Sequence, residues 1–245
     1  MLKVIAYKYD FVPAGEQALH IAFPEQIDVS ENQLIQELAQ QLQSRFIYEI
    51  TDIVPAYRTL TISFDIRKTT YYEFSSKLKV FLTHYVPDTK NDHGRIFEVP
   101  VCYDPEFGID LEDVAAFGNI SVEELIKLHS ANNYFIYMMG FLPGFAFMGN
   151  VPDRIAMPRL SAPRASIAPG SVAIAGKQAG MYPVDSPGGW RILGRTPITL
   201  YTPNNPLPPF QAGDWIKFSQ IDRTDYSAIK ELDAHGEYQL KIISE

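Results

Sequence analysis

The chain has 245 residues, 46% of them hydrophobic and 20% charged, the make-up of a soluble globular protein long enough to bury a real core. A net charge of −8 and a pI near 5.2 argue against nucleic acid as a partner, since that needs a broad basic surface. No apolar run reaches the ~20 residues that span a bilayer, the opening MLKVIAYKYDF lacks the features of a signal peptide, and the single cysteine, Cys102, rules out an internal disulfide. A cytoplasmic protein away from membranes is expected.

In chain order, Val4 to Tyr9 and Ala18 to Phe23 read as strands around the turn residues Pro13-Ala14-Gly15. Ser30 to Gln33 fits a capping box, and Leu34, Ile35, Leu38 and Leu42 mark the buried face of the helix behind it. Ile47 to Tyr57 and Thr59 to Phe64 follow as strands, then a capping box at Thr70 to Glu73 opens a helix to about Tyr85, and Ile96 to Tyr103 is a further strand. From the second strand onward this order suits a ferredoxin-like split βαβ sandwich with an extra leading strand. The polar stretch Val86 to Arg95 is the expected linker, giving an N-terminal α/β domain over residues 1–90 and a second domain over 91–245.

The second domain begins with two short helices, one from Asp110 to Gly118 and one behind Ser121. Short strands then dominate: Ser171 to Ala175, Trp190 to Leu193, Thr199 to Tyr201 and Asp214 to Ile221. A helix over about Asp225 to Leu232 and a strand with Tyr238, Leu240 and Ile242 on one face complete the chain. Many short strands with few helices indicate a barrel, so the class is α+β.

The stretch Phe141 to Pro197 stands apart. It holds 8 of the 15 glycines and 8 of the 18 prolines, and its six basic residues face two acids, a local charge of +4 in an acidic chain. Glycine and proline at that density fix tight turns. Arg159 and Arg164, each following a proline, and Arg195 in a Gly-Arg-Thr-Pro run, suit a two-point grip on a carboxylate or phosphate. Together with Gln178, Tyr182 and Ser186 they form the candidate substrate-binding set. The opposing reading, that the arginines pair with acids of other loops and the polar groups are satisfied in turns, is equally open. Phe141, Phe145, Phe147 and Met148 are either core or a partner-binding surface.

Other chemistries are disfavoured. The five histidines are scattered without metal-ligand spacing, so no metal site is expected. Cys102 lies in an apolar strand pattern. Gly170 to Lys177 imitates a phosphate loop, but Gln178 takes the hydroxyl position and Val172 to Ala175 reads as a strand.

The runs GFLPGFAFMGNVP and PRLSAPRASIAPGSVAIAGKQAGMYPVDSPGGWRILGRTP, with VCYDPEFGIDLEDVA and Leu128-His129-Ser130, resemble the B-subunit family of ATP-dependent 5-oxoprolinase. That family is also described as allophanate hydrolase subunit 1 and includes the Bacillus inhibitor of a sporulation histidine kinase. The resemblance implies a small α/β domain followed by a cyclophilin-like barrel. It implies a non-autonomous hydrolase component, inactive alone, that with the A and C subunits of the complex opens 5-oxoproline to glutamate while the complex hydrolyses ATP with magnesium. Inhibition of a histidine kinase, or an allophanate hydrolase or urea carboxylase role, are the alternatives it leaves. The chain departs from the family pattern at Asp104-Pro105, where relatives carry a glycine pair, and at Ala179, where they carry threonine.

Overall fold

A computed structural model describes residues 8–24, 27–87, 94–204 and 208–244. Within it the chain separates into two units, Met1–Asp92 and His93–Glu245. The expected linker falls largely on residues 88–93, and residues 4–7 of the first expected strand likewise lie outside the described residues.

In the first unit, strands β1 (Asp10–Pro13), β2 (Ala18–Ala22), β3 (Ile50–Pro55) and β4 (Thr59–Phe64) form one antiparallel sheet in the order β1-β2-β4-β3. Alternation along β2 and β4 sends Leu19, Ile21, Leu60, Ile62 and Phe64 to one face. There they meet the apolar stripes of helices α1 (Val29–Arg45) and α2 (Tyr71–His84). The box at Thr70 and Glu73 forms as expected. Helix α1 is capped by Asp28 rather than Ser30: the Asp28 carboxylate accepts the Glu31 N–H at 2.9 Å, so the helix starts one residue before Ser30. Residues 46–49 turn instead of extending, with the Ile50 N–H bonded to the Phe46 carbonyl at 2.9 Å.

The expected last strand of a split sandwich, Ile96 to Tyr103, is not in this sheet. Its core is β5 (Ile96–Cys102), almost continuously buried, and it belongs to the second unit; the sheet edge beside β2 is held by β1. The reason lies in its composition. A strand apolar on both faces needs cover on both, and β5 runs parallel to β13 (Trp215–Ile221) over seven residue pairs.

The second unit continues with α3 (Leu111–Gly118), α4 (Val122–Ala131), β6 (Asn133–Met139), β7 (Ala146–Met148), β8 (Arg164–Ile167), β9 (Ser171–Ala175), β10 (Gln178–Met181), β11 (Ser186–Gly188) and β12 (Arg191–Arg195). After β13 come α5 (Arg223–Ala234) and β14 (Lys241–Ser244). The order β12-β9-β10-β7-β6-β13-β5 closes on itself through the pair Arg195–Cys102, making a seven-stranded barrel with β14 added outside β5. Val99, Val101, Ile136, Met148, Val172, Ile174, Met181, Leu193, Ile216 and Phe218 fill it, with Leu111, Val114 and Leu125 of α3 and α4 in the same cluster. Strand β6 is not among the expected elements. Thr199 to Tyr201 is not a strand: the Thr199 N–H bonds the Asp233 carboxylate at 2.9 Å.

Candidate functional site

The glycine-rich stretch wraps the barrel wall. Strand β9 directs Val172 and Ile174 into the barrel and Ala173 and Ala175 to the opposite face. It returns as β10 through the two-residue turn Gly176-Lys177, with Gly176 at φ +60°, so the imitation of a phosphate loop is a hairpin. On the outer face a second apolar cluster forms around Phe145. Its ring lies 4.6 Å from Phe147, 5.4 Å from Tyr182 and 5.7 Å from Trp190 by centroid. Gly180 is required beneath them, because a Cβ there would lie 2.8 Å from Phe145 and 2.9 Å from Trp190.

The expected partner-binding quartet is therefore split by strand alternation. Met148 is buried in the barrel core, paired with Ile136, and Phe145 is the buried hub of the outer cluster. Neither can serve as an exposed contact. Phe147 is half-buried, and Phe141 alone of the four stands out, 67% exposed.

The arginines part in a similar way. Arg164 is held by an acid: its two terminal nitrogens donate to Asp110, itself 2% exposed, at 3.0 and 2.8 Å. The Ile192 N–H reaches the same carboxylate at 2.7 Å. Arg191 meets Asp113 at 3.3 Å, Arg154 meets Glu124 at 2.8 Å, and Lys177 pairs with Asp153. Arg159 and Arg195 have no acidic partner among the described residues. Arg159 is exposed near Tyr182; burial pushes the Tyr182 hydroxyl up, against the pull of Arg159 and Arg164.

Tyr182 sits under the two-stranded sheet of β8 and β11, where only glycine fits at 188, since a Cβ would lie 2.3 Å from the phenol oxygen. Ser186, across from Ile167 in that sheet, is buried with its hydroxyl unpartnered. Gln178 opens β10 on the same face as Gly180. These groups border one side of the wall, but Arg195 belongs elsewhere. It lies at the seam of the barrel, its guanidinium 4.7 Å above the Phe107 ring, with its buried Nε unpartnered. Burial pushes the Tyr226 hydroxyl up, and the Arg195 guanidinium bonded to it pulls the other way. Arg223, 4.9 Å from the same ring, is taken by Asp104 at 3.2 Å and Glu106 at 2.6 Å. The Asp104-Pro105 departure thus forms a turn that holds Arg223, with the Phe107 N–H on the Asp104 carbonyl at 2.8 Å.

Cys102 and His129 are both sealed inside the second unit. Cys102 is buried, which pushes its thiol up. His129 is wholly buried, which lowers it from 6.5 to about 3; its Nδ1 faces the Tyr103 hydroxyl at 2.7 Å and its ring stacks on Phe218 at 4.8 Å. Sequence reasoning missed Asp110, Phe107 and Tyr226. Asp110 had a visible signal as a residue opening a helix, yet its side chain makes no cap and serves Arg164.

With this geometry in hand, known proteins supply the lineage. Residues 9–211 match the family described as carboxyltransferase domain, subdomain C and D. The chain is 38% identical over 239 residues to the B subunit of 5-oxoprolinase from Bacillus subtilis, covering 91% of this chain and 98% of that one. It belongs to the 5-oxoprolinase B-subunit family. A second such relative, the B subunit of the Haemophilus influenzae 5-oxoprolinase, is 35% identical over 211 residues, covering 85% of this chain and 96% of the relative. Among solved structures, TTHA0988 superposes with a TM-score of 0.72 at 32% identity over 84% of this chain; this family member spans only 40% of the TTHA0988 chain. The K. lactis urea amidolyase covers all of this chain with a TM-score of 0.85, the match taking 17% of the enzyme, and at 17% identity that likeness concerns the fold.

Proposed function

We propose that this chain is the B subunit of an ATP-dependent 5-oxoprolinase, opening 5-oxoproline to glutamate only when assembled with the A and C subunits. The observation that carries the reading is the nearly end-to-end identity of 38% with the B subunit of the Bacillus subtilis enzyme. Cys102 and His129 are sealed by burial and take no part in this reading, which gives the phosphorylating and hydrolytic groups to the partner subunits. ATP with magnesium is used by the complex, in the cytoplasm. Phosphorylation of the lactam oxygen makes the ring carbonyl electrophilic, and fixed positive charge favours that step.

In this reading the substrate carboxylate meets Arg195, with Arg159, Gln178, Tyr182 and Ser186 bordering the neighbouring wall, while Arg164 is structural. The barrel is of the cyclophilin-like kind, and the first unit is a ferredoxin-like variant whose edge strand comes from its own N-terminal side. A carboxyl-transfer role is the second reading, favoured by the family description. Reconstitution with the A and C subunits, ATP and 5-oxoproline tests the first: glutamate release supports it, and turnover of urea or allophanate in its place supports the second.

A further inference from the structure

Helix α5 buries one of its residues, Tyr226, which is 8% exposed. The ring packs into a small apolar cluster with Cys102 and Phe107, its centroid 4.7 Å from that of Phe107. Phenylalanine would fill this space without taking a hydroxyl out of water, so the hydroxyl calls for a polar partner. That partner is Arg195. Its guanidinium, 4.7 Å from the Phe107 ring centroid, donates a hydrogen bond to the phenol oxygen.

Both members of the pair are placed by the elements that carry them. Arg223, three residues before Tyr226 on α5, is taken by Asp104 and Glu106 and lies 4.9 Å from the same Phe107 ring. Asp222 caps the helix by accepting the Asp225 N–H at 2.8 Å. The first turn of α5 is thereby tied to the turn at residues 104–107, and the phenol stands at a set place. Arg195 ends β12 where the barrel closes on Cys102. Its Nε is buried without a partner, and no acid among the described residues meets its charge. The Phe107 face and the Tyr226 hydroxyl are the contacts that seat the guanidinium. A long side chain already seated loses less conformational freedom when it binds.

We infer that Tyr226 is a positioning residue whose hydroxyl holds the Arg195 guanidinium in the orientation that receives the substrate carboxylate, an inference that rests on the oxoprolinase reading and the place it gives Arg195. Tyr226 acts through Arg195 and touches no substrate. Presetting the planar fork matters because its two-point grip depends on orientation as much as on charge.

The test is steady-state kinetics of the complex reconstituted with the A and C subunits, using the full chain as native protein, Tyr226→Phe, Arg195→Lys and the double variant. Tyr226→Phe keeps the ring beside Phe107 and is expected to melt near the native temperature. Its KM for 5-oxoproline is expected to rise about fivefold or more, with kcat and the KM for ATP close to native, the split that follows when a uniform binding contact is lost. Added to Arg195→Lys, the same change is expected to cost less than about twofold, because a group acting through the guanidinium then has nothing to orient. An active native complex whose KM for 5-oxoproline stays within about twofold on Tyr226→Phe overturns the inference and leaves the oxoprolinase reading standing. Equal losses in the two backgrounds, a KM for ATP that rises in step, or a variant that melts well below the native chain overturn it too, since each makes the hydroxyl a general support of the fold. A native complex that opens no 5-oxoproline removes the reading and the inference with it.

Discussion

Arg164 and Asp110, 54 residues apart in sequence, meet through two parallel hydrogen bonds of 3.0 and 2.8 Å. Because Asp110 is buried and also holds the Ile192 N–H and lies 3.7 Å from Arg191, the pair fastens β8 and β12 to the start of α3. Removing one partner strands a buried charge. Arg164→Ala is expected to destabilise the second unit by about 3 kcal/mol, the low end for such losses because Arg164 is partly exposed. Turnover per folded complex should be retained. Thermal melts beside assays normalised to folded protein check this; a stable variant with no turnover would return Arg164 to the substrate.

Arg195 is expected to behave in the opposite way. Its guanidinium rests on Phe107 and lacks an acidic partner among the described residues, so Arg195→Lys should change the melting temperature little. Loss of the planar two-point contact should lower kcat/KM of the assembled complex by about thirtyfold, or ~2 kcal/mol. Unchanged kinetics would remove Arg195 from substrate binding.

How much of this was legible follows from what each signal depends on. The β9 strand, the caps at Thr70 and Ser121 and the stripe of α1 rest on local chemistry, and they stand where the sequence puts them. Strand β6 escaped because NYFIYMM follows a helix directly, and a short apolar run does not announce its period. The partner of Arg164 could not be read, since nothing local points 54 residues away. The quartet 141–148 looked like one patch. The pleat divides it, a period-two effect that shows only once the β7 strand is known.

His129 makes stability depend on pH. Burial holds its folded value at about 3 against an ordinary 6.5, so between those values the unfolded chain takes up a proton that the folded chain refuses. Its contribution is complete above pH 6.5 and is lost as pH falls toward 3, by roughly 1.4 kcal/mol per unit. Denaturant unfolding at several pH values, for native protein and His129→Phe, isolates this part. The variant keeps a ring beside Phe218 and should show the flatter profile; equal slopes would mean that the imidazole is not sealed.

Gly180→Ala tests the outer cluster. The added methyl group meets Phe145 and Trp190 rings that are hemmed in by Phe147 and Tyr182, so overpacking is expected to cost about 1–3 kcal/mol. Trp190 fluorescence should shift with it. A variant as stable as the native chain would show the cluster to be loosely packed.

The central claim is that this chain is an inert member of an oxoprolinase until its partners join it. Glutamate formed from 5-oxoproline is the direct readout, measured for the chain alone, with either one of the A and C subunits, and with both, each with ATP and magnesium. The account predicts glutamate, with matching ATP hydrolysis, only when all three subunits are present. Glutamate released by this chain alone, or none from the complete set, would contradict it.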